Sequence, residues 1–288
     1  MSVTTTTPSL DIYRGGRFSL LTQHGKESVV TPLFREMLDA TVELTTGFDT
    51  DTLGTFTRDV ARLGNQLEAA RTKANKGMEL LGLPCGIASE GSFGPDPFGL
   101  FAWNVELMIL VDRPRGIEIV GLAQGPAQDH HGRVSTLEAL ESFARGARFP
   151  DHGLVVRPDD DRDPRVRKGL TDWPALHEAF EQALAQSQNA TVFIESDLRA
   201  HMNPTRMAVI RQAAENLIQR MRSECPSCSL PGYWRVERIL GLPCRDCGSP
   251  TNEARAERWR CVAGDHQEVR ELSPGALGDP VRCNDCNP

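Results

Sequence analysis

The chain has 288 residues, 39% hydrophobic and 25% charged, which fits a soluble globular protein with one large domain or a core domain plus an appendage. Its formal charge of −7, from 32 Lys and Arg against 39 Asp and Glu, works against a broad nucleic-acid clamp, whose affinity comes from neutralised phosphates. No run approaches the roughly 20 apolar residues that span a bilayer, and the opening Met1-Ser-Val-Thr-Thr-Thr-Thr-Pro lacks the basic start and apolar run of a secretory signal, so no membrane partner and a reducing, cytoplasmic setting are expected.

Residues 1–12 are Thr-rich and polar and read as a flexible lead-in. Phe18 to Thr22 reads as a short buried strand, followed by His24-Gly25-Lys26-Glu27 and a helix across Pro32 to Leu38. Val42 to Thr46 suggests a second strand, running into a turn-rich loop with Asp49, Asp51, Thr55 and Thr57. Val60, Leu63, Leu67, Ala70, Ala74, Met78 and Leu81 recur at spacings of three and four, which predicts an amphipathic helix capped by Thr57 and ended by Gly82. Gly86 to Pro97 is rich in small residues and reads as a loop. Val105 to Val111 and Ile117 to Leu122 read as a hairpin of interior strands, with Glu106 a carboxylate in apolar company.

Further on, Ser135 to Ala147 reads as a helix and Gly153 to Arg157 as a strand, and the mixed charges of 159–168 read as a solvated loop. A helix stripe through Leu176, Phe180, Ala183 and Leu184 precedes a buried strand from Ala190 to Ile194. Asn203-Pro204 caps a helix carrying Met207, Ile210, Leu217 and Met221. The expected fold is α/β: a mixed, partly parallel sheet with helices on both faces over residues 13–223, then a ribbon-like two-zinc module over 224–288.

Three polar clusters sit beside predicted strands and helices: His24, Lys26 and Glu27; Asp49, Asp51, Thr55 and Thr57; and Glu195, Asp197, Arg199 and His201. Converging carboxylates suit Mg²⁺ or Mn²⁺, and Lys26 and Arg199 suit a phosphate or carboxylate. With Glu90 and Glu106 they make a candidate catalytic set in which Asp49, Asp51 and Asp197 hold metal, Lys26 and Arg199 bind the anion, and His24 or His201 moves protons. The competing roles are ordinary: loop histidines at the surface, Asp49 and Asp51 as turn caps, Glu195 and Asp197 in an ion network with Arg199 and Arg206, and Glu106 neutralised by an arginine. Walker, nucleophile-elbow and reactive-cysteine motifs are absent.

The sharpest signal is at the C-terminal end. Cys225-Pro-Ser-Cys228, Cys244-Arg-Asp-Cys247, Cys261 with His266 five residues on, and Cys283-Asn-Asp-Cys286 supply eight ligands, enough for two closed tetrahedral zinc sites. Disulfides need an oxidising compartment, and a redox Cys-x-x-Cys normally occurs once. The 13 residues between Cys247 and Cys261 suit a ribbon hairpin, favouring Cys244, Cys247, Cys261 and His266 as one set and Cys225, Cys228, Cys283 and Cys286 as the other. Full ligand sets imply structural rather than catalytic zinc.

His24-Gly-Lys-Glu27, Asp49-Thr-Asp51 with Leu53-Gly-Thr-Phe-Thr57, Ala88-Ser-Glu-Gly-Ser-Phe-Gly-Pro95, Asp197-Leu-Arg-Ala-His-Met-Asn-Pro-Thr-Arg206 and Cys283-Asn-Asp-Cys-Asn-Pro288 together resemble an uncharacterised bacterial family, domain of unknown function 6671, over nearly the whole chain. The resemblance implies no activity. It implies a third Cys-x-x-Cys where this chain has only Cys261, so His266 or Asp265 must complete that set.

Two functional readings follow from the residues. One is a metal-dependent hydrolase or phosphoryl-transfer enzyme acting on a nucleotide-like or other anionic small molecule. The other is a zinc-ribbon module for a protein or nucleic-acid partner, presenting Trp234 and Trp259 with Arg235, Arg238, Arg258 and Arg260 on an α/β scaffold. Against the latter, residues 225–288 carry 8 Arg and 9 Asp or Glu.

Overall fold

The computed structural model describes residues 10–45 and 65–288. The chain divides into two compact units: residues 15–114 with 120–218, and residues 115–119 and 219–288 with the described part of 1–14. Among the described residues no helix is long and apolar enough to cross a membrane.

In the larger unit, β1 (Arg17–Leu21), β2 (Thr41–Thr45), β3 (Cys85–Pro95), β4 (Ala102–Asp112) and β5 (Ile117–Pro126) form a mixed sheet in the order β2-β1-β3-β4-β5. β1 runs parallel to both β2 and β3, and β3 and β4 are antiparallel. Helix α3 (Gln66–Leu81) covers one face, where Ala70, Ala74 and Met78 meet Ala88, Leu107, Ile109 and Val111. On the other face α2 (Glu27–Leu38) brings Phe34 edge-on to Phe18, 5.4 Å between ring centres, and α6 (Pro204–Met221) packs so closely on β5 that a Cβ at Gly121 would lie 2.5 Å from the Ala213 carbonyl oxygen. Helices therefore cover both faces of a mixed, partly parallel sheet.

A second sheet, absent from the sequence reading, holds β6 (His131–Val134), β9 (Val192–Ser196), β7 (Leu154–Pro158) and β8 (Arg167–Leu170) in that order. Its β6–β9, β9–β7 and β7–β8 pairings are all antiparallel. Helices α4 (Leu137–Gly146) and α5 (Trp173–Gln186) bury Leu140, Ala144, Leu176 and Phe180 against Leu154, Val156, Val192 and Ile194.

Three local expectations change. The stretch read as a small-residue loop is β3, an 11-residue strand. Its glycines are small because neighbours come close: a Cβ at Gly86 would lie 2.5 Å from Met78 Cγ and 2.7 Å from the Ala74 carbonyl oxygen. Helix α3 starts at Gln66, where Asn65 is extended and forms a capping box with Glu68, and Gly82 closes it at φ 62° as expected, while Thr57, Val60 and Leu63 of the expected helix lie outside the described residues. Part of the charge run is the strand β8, and Arg165 there lies against Asp163 and Asp159.

The smaller unit holds the short helix α1 (Leu10–Tyr13) and the sheet β10 (Trp234–Leu240), β11 (Ala254–Arg260) and β12 (Gln267–Glu271), antiparallel throughout. Residues 1–9 of the expected lead-in lie outside the described residues.

Candidate functional site

The larger unit gathers charge on the sheet face opposite α3. Gly25, at φ 70°, turns the chain between β1 and α2; a Cβ there would lie 3.3 Å from His201 Cβ as well as straining the backbone. This tight turn lets His24 stack on His201, rings 5.4 Å apart and 6° from parallel, and sends Lys26 from the start of α2 to β3. Lys26 Nζ donates to Ser89 Oγ at 3.0 Å and to the Ser89 carbonyl at 3.3 Å. On the other side of the same strand Glu90 pairs with Lys73.

Next to Lys26, the fully buried Glu106 accepts a hydrogen bond from Arg206 Nε at 2.7 Å. Gly91 makes room for this pair, since a Cβ there would overlap Glu106 Oε1 and lie 2.6 Å from Arg206 Nη2. Arg206 also donates to the Leu198 carbonyl at 2.5 Å, tying the loop after β9 to the sheet. In that loop Asp197 is buried and receives Arg199 on both oxygens, at 2.9 Å on Oδ1 and 2.5 Å on Oδ2, with the Gly169 N–H a further donor at 3.1 Å.

The titration of the cluster follows from burial among cations. Burial, followed by the charges of Lys26, His201, Arg199 and Arg206, lowers the His24 pKa to about 4. Burial also lowers His201, with Arg199 next and Asp197 and Glu27 acting in the opposite sense. Lys26 falls to about 8, through burial first and then Arg206, with Glu106 and Glu90 partly restoring it. Both imidazoles are therefore neutral at pH 7, beside an ammonium that is still largely charged.

A pH dependence follows. Between pH 6.5 and about 4 an unfolded His24 binds a proton that the folded one refuses, so stability falls on acidification through that window. Denaturant titrations at several pH values should show a shallower acid slope for His24→Gln than for the parent; identical slopes would mean His24 is not held neutral.

Of the residues singled out from sequence, the structure brings together His24, Lys26, Glu90, Glu106, Asp197, Arg199 and His201, with Glu27 beside His201. Asp49 and Asp51 lie outside the described residues. Glu195 stands apart from the Arg199 network and pairs with buried Arg157 at 3.2 Å. Sequence reasoning left Lys73, Ser89 and Asn104 out of the cluster and gave Arg206 only a structural role. Lys73 was detectable as a charge on the Ala70–Ala74 stripe of α3, and Asn104 as a second polar residue two before Glu106 on one strand face.

In the smaller unit the cysteines form two groups, each with sulfurs within 4.8 Å of one another: Cys244, Cys247, Cys283 and Cys286; and Cys225, Cys228 and Cys261. This corrects the pairing expected from spacing. Residues 254–260 are the strand β11, which runs antiparallel to β10 and sets Arg260 opposite Trp234, so Cys261 returns to the Cys225–Cys228 end of the hairpin. Seven strand residues span about 23 Å, which separates Cys261 from Cys244 and Cys247. The tail closes the other set through a bridge between Cys244 and Gly278.

The Sγ–Sγ separations of 3.6 Å for Cys228–Cys261, 3.8 Å for Cys244–Cys286 and 3.5 Å for Cys247–Cys283 match the edge of a tetrahedron with metal–sulfur bonds of about 2.3 Å, which is about 3.8 Å. They are far longer than a disulfide bond of about 2.05 Å. The two N-terminal knuckles share one hydrogen-bond pattern: Cys225 N to Leu230 O and Ser229 N to Cys225 O, then Cys244 N to Ser249 O and Gly248 N to Cys244 O, with Ser229 and Gly248 both at positive φ. Both groups are thus arranged to hold a metal ion such as zinc.

His266 lies outside the three-sulfur group. Its carbonyl accepts from Cys261 N at 3.0 Å, its ring is 5.6 Å from that of Tyr233, which packs with Cys225 and Cys261, and its Nε2 is buried without a hydrogen-bond partner. On the sheet, Arg235 and Arg238 face Glu257, Arg258 pairs with Glu237 at 2.7 Å, and Arg270 lies 4.4 Å over the Trp259 ring.

Together these features define a two-unit α/β protein with a cysteine-rich module whose sulfur groups could hold metal ions. The chain belongs to the family described as domain of unknown function DUF6671, whose model matches residues 73–288. That match begins after the His24–Glu27 and Asp49–Thr57 motifs, a shorter extent than the resemblance over nearly the whole chain. No curated protein matches the chain.

Proposed function

We propose that the larger unit binds a phosphate- or carboxylate-bearing small molecule at Lys26 and acts on it by acid–base chemistry, as a hydrolase or phosphoryl-transfer enzyme. The observation that carries this reading is Lys26 itself: a buried ammonium whose hydrogen bonds among the described residues go to Ser89 rather than to a carboxylate. Among the described residues Glu90, Glu106 and Asp197 are each matched by Lys73, Arg206 and Arg199, which leaves Lys26 as a cation in excess there. The Asp197–Arg199 pairing shifts the weight of the reading from carboxylates holding Mg²⁺ or Mn²⁺ to cations holding an anion. His24 and His201, neutral and adjacent, are placed to move the proton.

The cysteine groups hold two zinc ions in a structural role in this reading, and His266 completes the three-sulfur set, supported by its unpartnered buried Nε2. A nucleic-acid face on Trp234 and Trp259 has less support, because the arginines there lie against carboxylates of the same sheet.

Lys26→Met tests the anion reading. A lysine pKa displaced from 10.5 to about 8 corresponds to on the order of 3 kcal/mol against the charged form, so the variant should unfold at higher temperature than the parent while losing inorganic-phosphate binding by calorimetry at least tenfold. Unchanged phosphate binding would refute the assignment.

A further inference from the structure

On β4 a buried amide and one oxygen of a buried carboxylate take no part in the ion pairs above. Asn104 is 1% exposed, yet neither Oδ1 nor Nδ2 has a hydrogen-bond partner among the described residues. Two residues on, Glu106 accepts from Arg206 at Oε1 while Oε2, also buried, has no partner among the described residues. Strand alternation puts both side chains on one face, about 7 Å apart. Native interiors seldom leave both ends of a buried amide unmade, because each unmade bond carries its desolvation cost.

The neighbouring groups lie in order along this face. Ser89, which holds Lys26, and Phe93, opposite Asn104, are four residues apart on β3, about 13 Å. Between them stands Arg206, bonded to Glu106 and 5.5 Å over the Phe93 ring. The face thus offers an ammonium, then an ion pair with one open carboxylate oxygen, then an open amide beside an aromatic ring. Inorganic phosphate held at the ammonium is too small to reach the amide as well.

We propose that Asn104 and Glu106 Oε2 form the second half of the anion site, and that the ligand is an extended, hydroxylated organic phosphate. The amide calls for both a donor and an acceptor, and the carboxylate oxygen calls for a donor; a polyhydroxylated body attached to the phosphate supplies them. This deepens the Lys26 reading and rests on it. Buried water is the competing occupant, since it can bond the same atoms.

Calorimetry on the full chain with inorganic phosphate, ribose 5-phosphate and a nucleoside monophosphate separates the cases. The parent should bind at least one organic phosphate tenfold or more tighter than inorganic phosphate. Asn104→Leu should lose that margin and keep inorganic-phosphate binding, and Asn104→Asp, near in shape, should lose most of it if the leucine variant folds poorly. Lys26→Met should lose binding of every probe; if it binds them all like the parent, the anion reading fails on its own account. A margin that survives in both Asn104 variants, with a higher melting temperature for Asn104→Leu, would assign the amide to buried water and overturn the proposal. So would a parent with no margin.

Discussion

Replacing Cys283 by serine is expected to lower the zinc content from two ions per chain to one and to unfold the sheet of the smaller unit. The side chains there leave little else to hold it. Among residues 224–288, Cys225, Cys244, Cys261 and Cys283 are themselves among the buried residues, with Tyr233 and Ala256, whereas Val236, Leu240, Val269, Leu277 and Val281 are at least half exposed. With so few buried apolar residues there, bound metal would supply folding free energy, and structural zinc in small modules contributes on the order of 10 kcal/mol or more. Elemental analysis should show the stoichiometric loss, and limited proteolysis should show new cleavage between 234 and 288. Cys261→Ser should likewise lose one ion, from the other group. Two ions retained in the Cys283 variant would contradict the grouping of Cys244, Cys247, Cys283 and Cys286.

Arg206→Met should destabilise the larger unit by about 3–5 kcal/mol in urea denaturation, because it leaves Glu106 as a buried charge without its counterion. It also removes the tie to the Leu198 carbonyl. The double variant Glu106→Leu with Arg206→Met should recover part of that loss, since exchanging a buried pair for apolar groups is often near neutral. A loss below about 1 kcal/mol for the single variant would contradict Arg206 as the counterion that keeps Glu106 buried.

The cysteines that could hold a metal ion were legible from the sequence because a Cys-x-x-Cys turn is local: six of the seven sulfurs come from three short loops. Their grouping was not, because it depends on which end of a hairpin each loop occupies, and the residues between Cys247 and Cys261 include a whole strand of that hairpin. The two faces of β4 were legible from alternation, Leu107, Ile109 and Val111 meeting α3 and Glu106 turned the other way. The strand β3 was missed because Gly86 and Gly91 read as loop residues, when their small size serves close packing against α3 and the Glu106–Arg206 pair.

The candidate site was half legible. Polar clusters around residue 24 and residue 197 stood out in the chain, and the stack of His24 on His201 brings them together. Their chemistry did not stand out, since a sequence lists acids and bases without showing which neutralise each other. Only the contacts distinguish Asp197, bound on both oxygens by Arg199, from Lys26, held by Ser89 alone among the described residues.

The most direct test of the anion site is crystallographic. Crystals soaked in tungstate, a heavy analogue of phosphate, should show an anomalous peak within hydrogen-bonding distance of Lys26 Nζ, about 3 Å, and beside His24 and His201. A peak absent there at saturating tungstate, or one confined to surface arginines, would contradict the account.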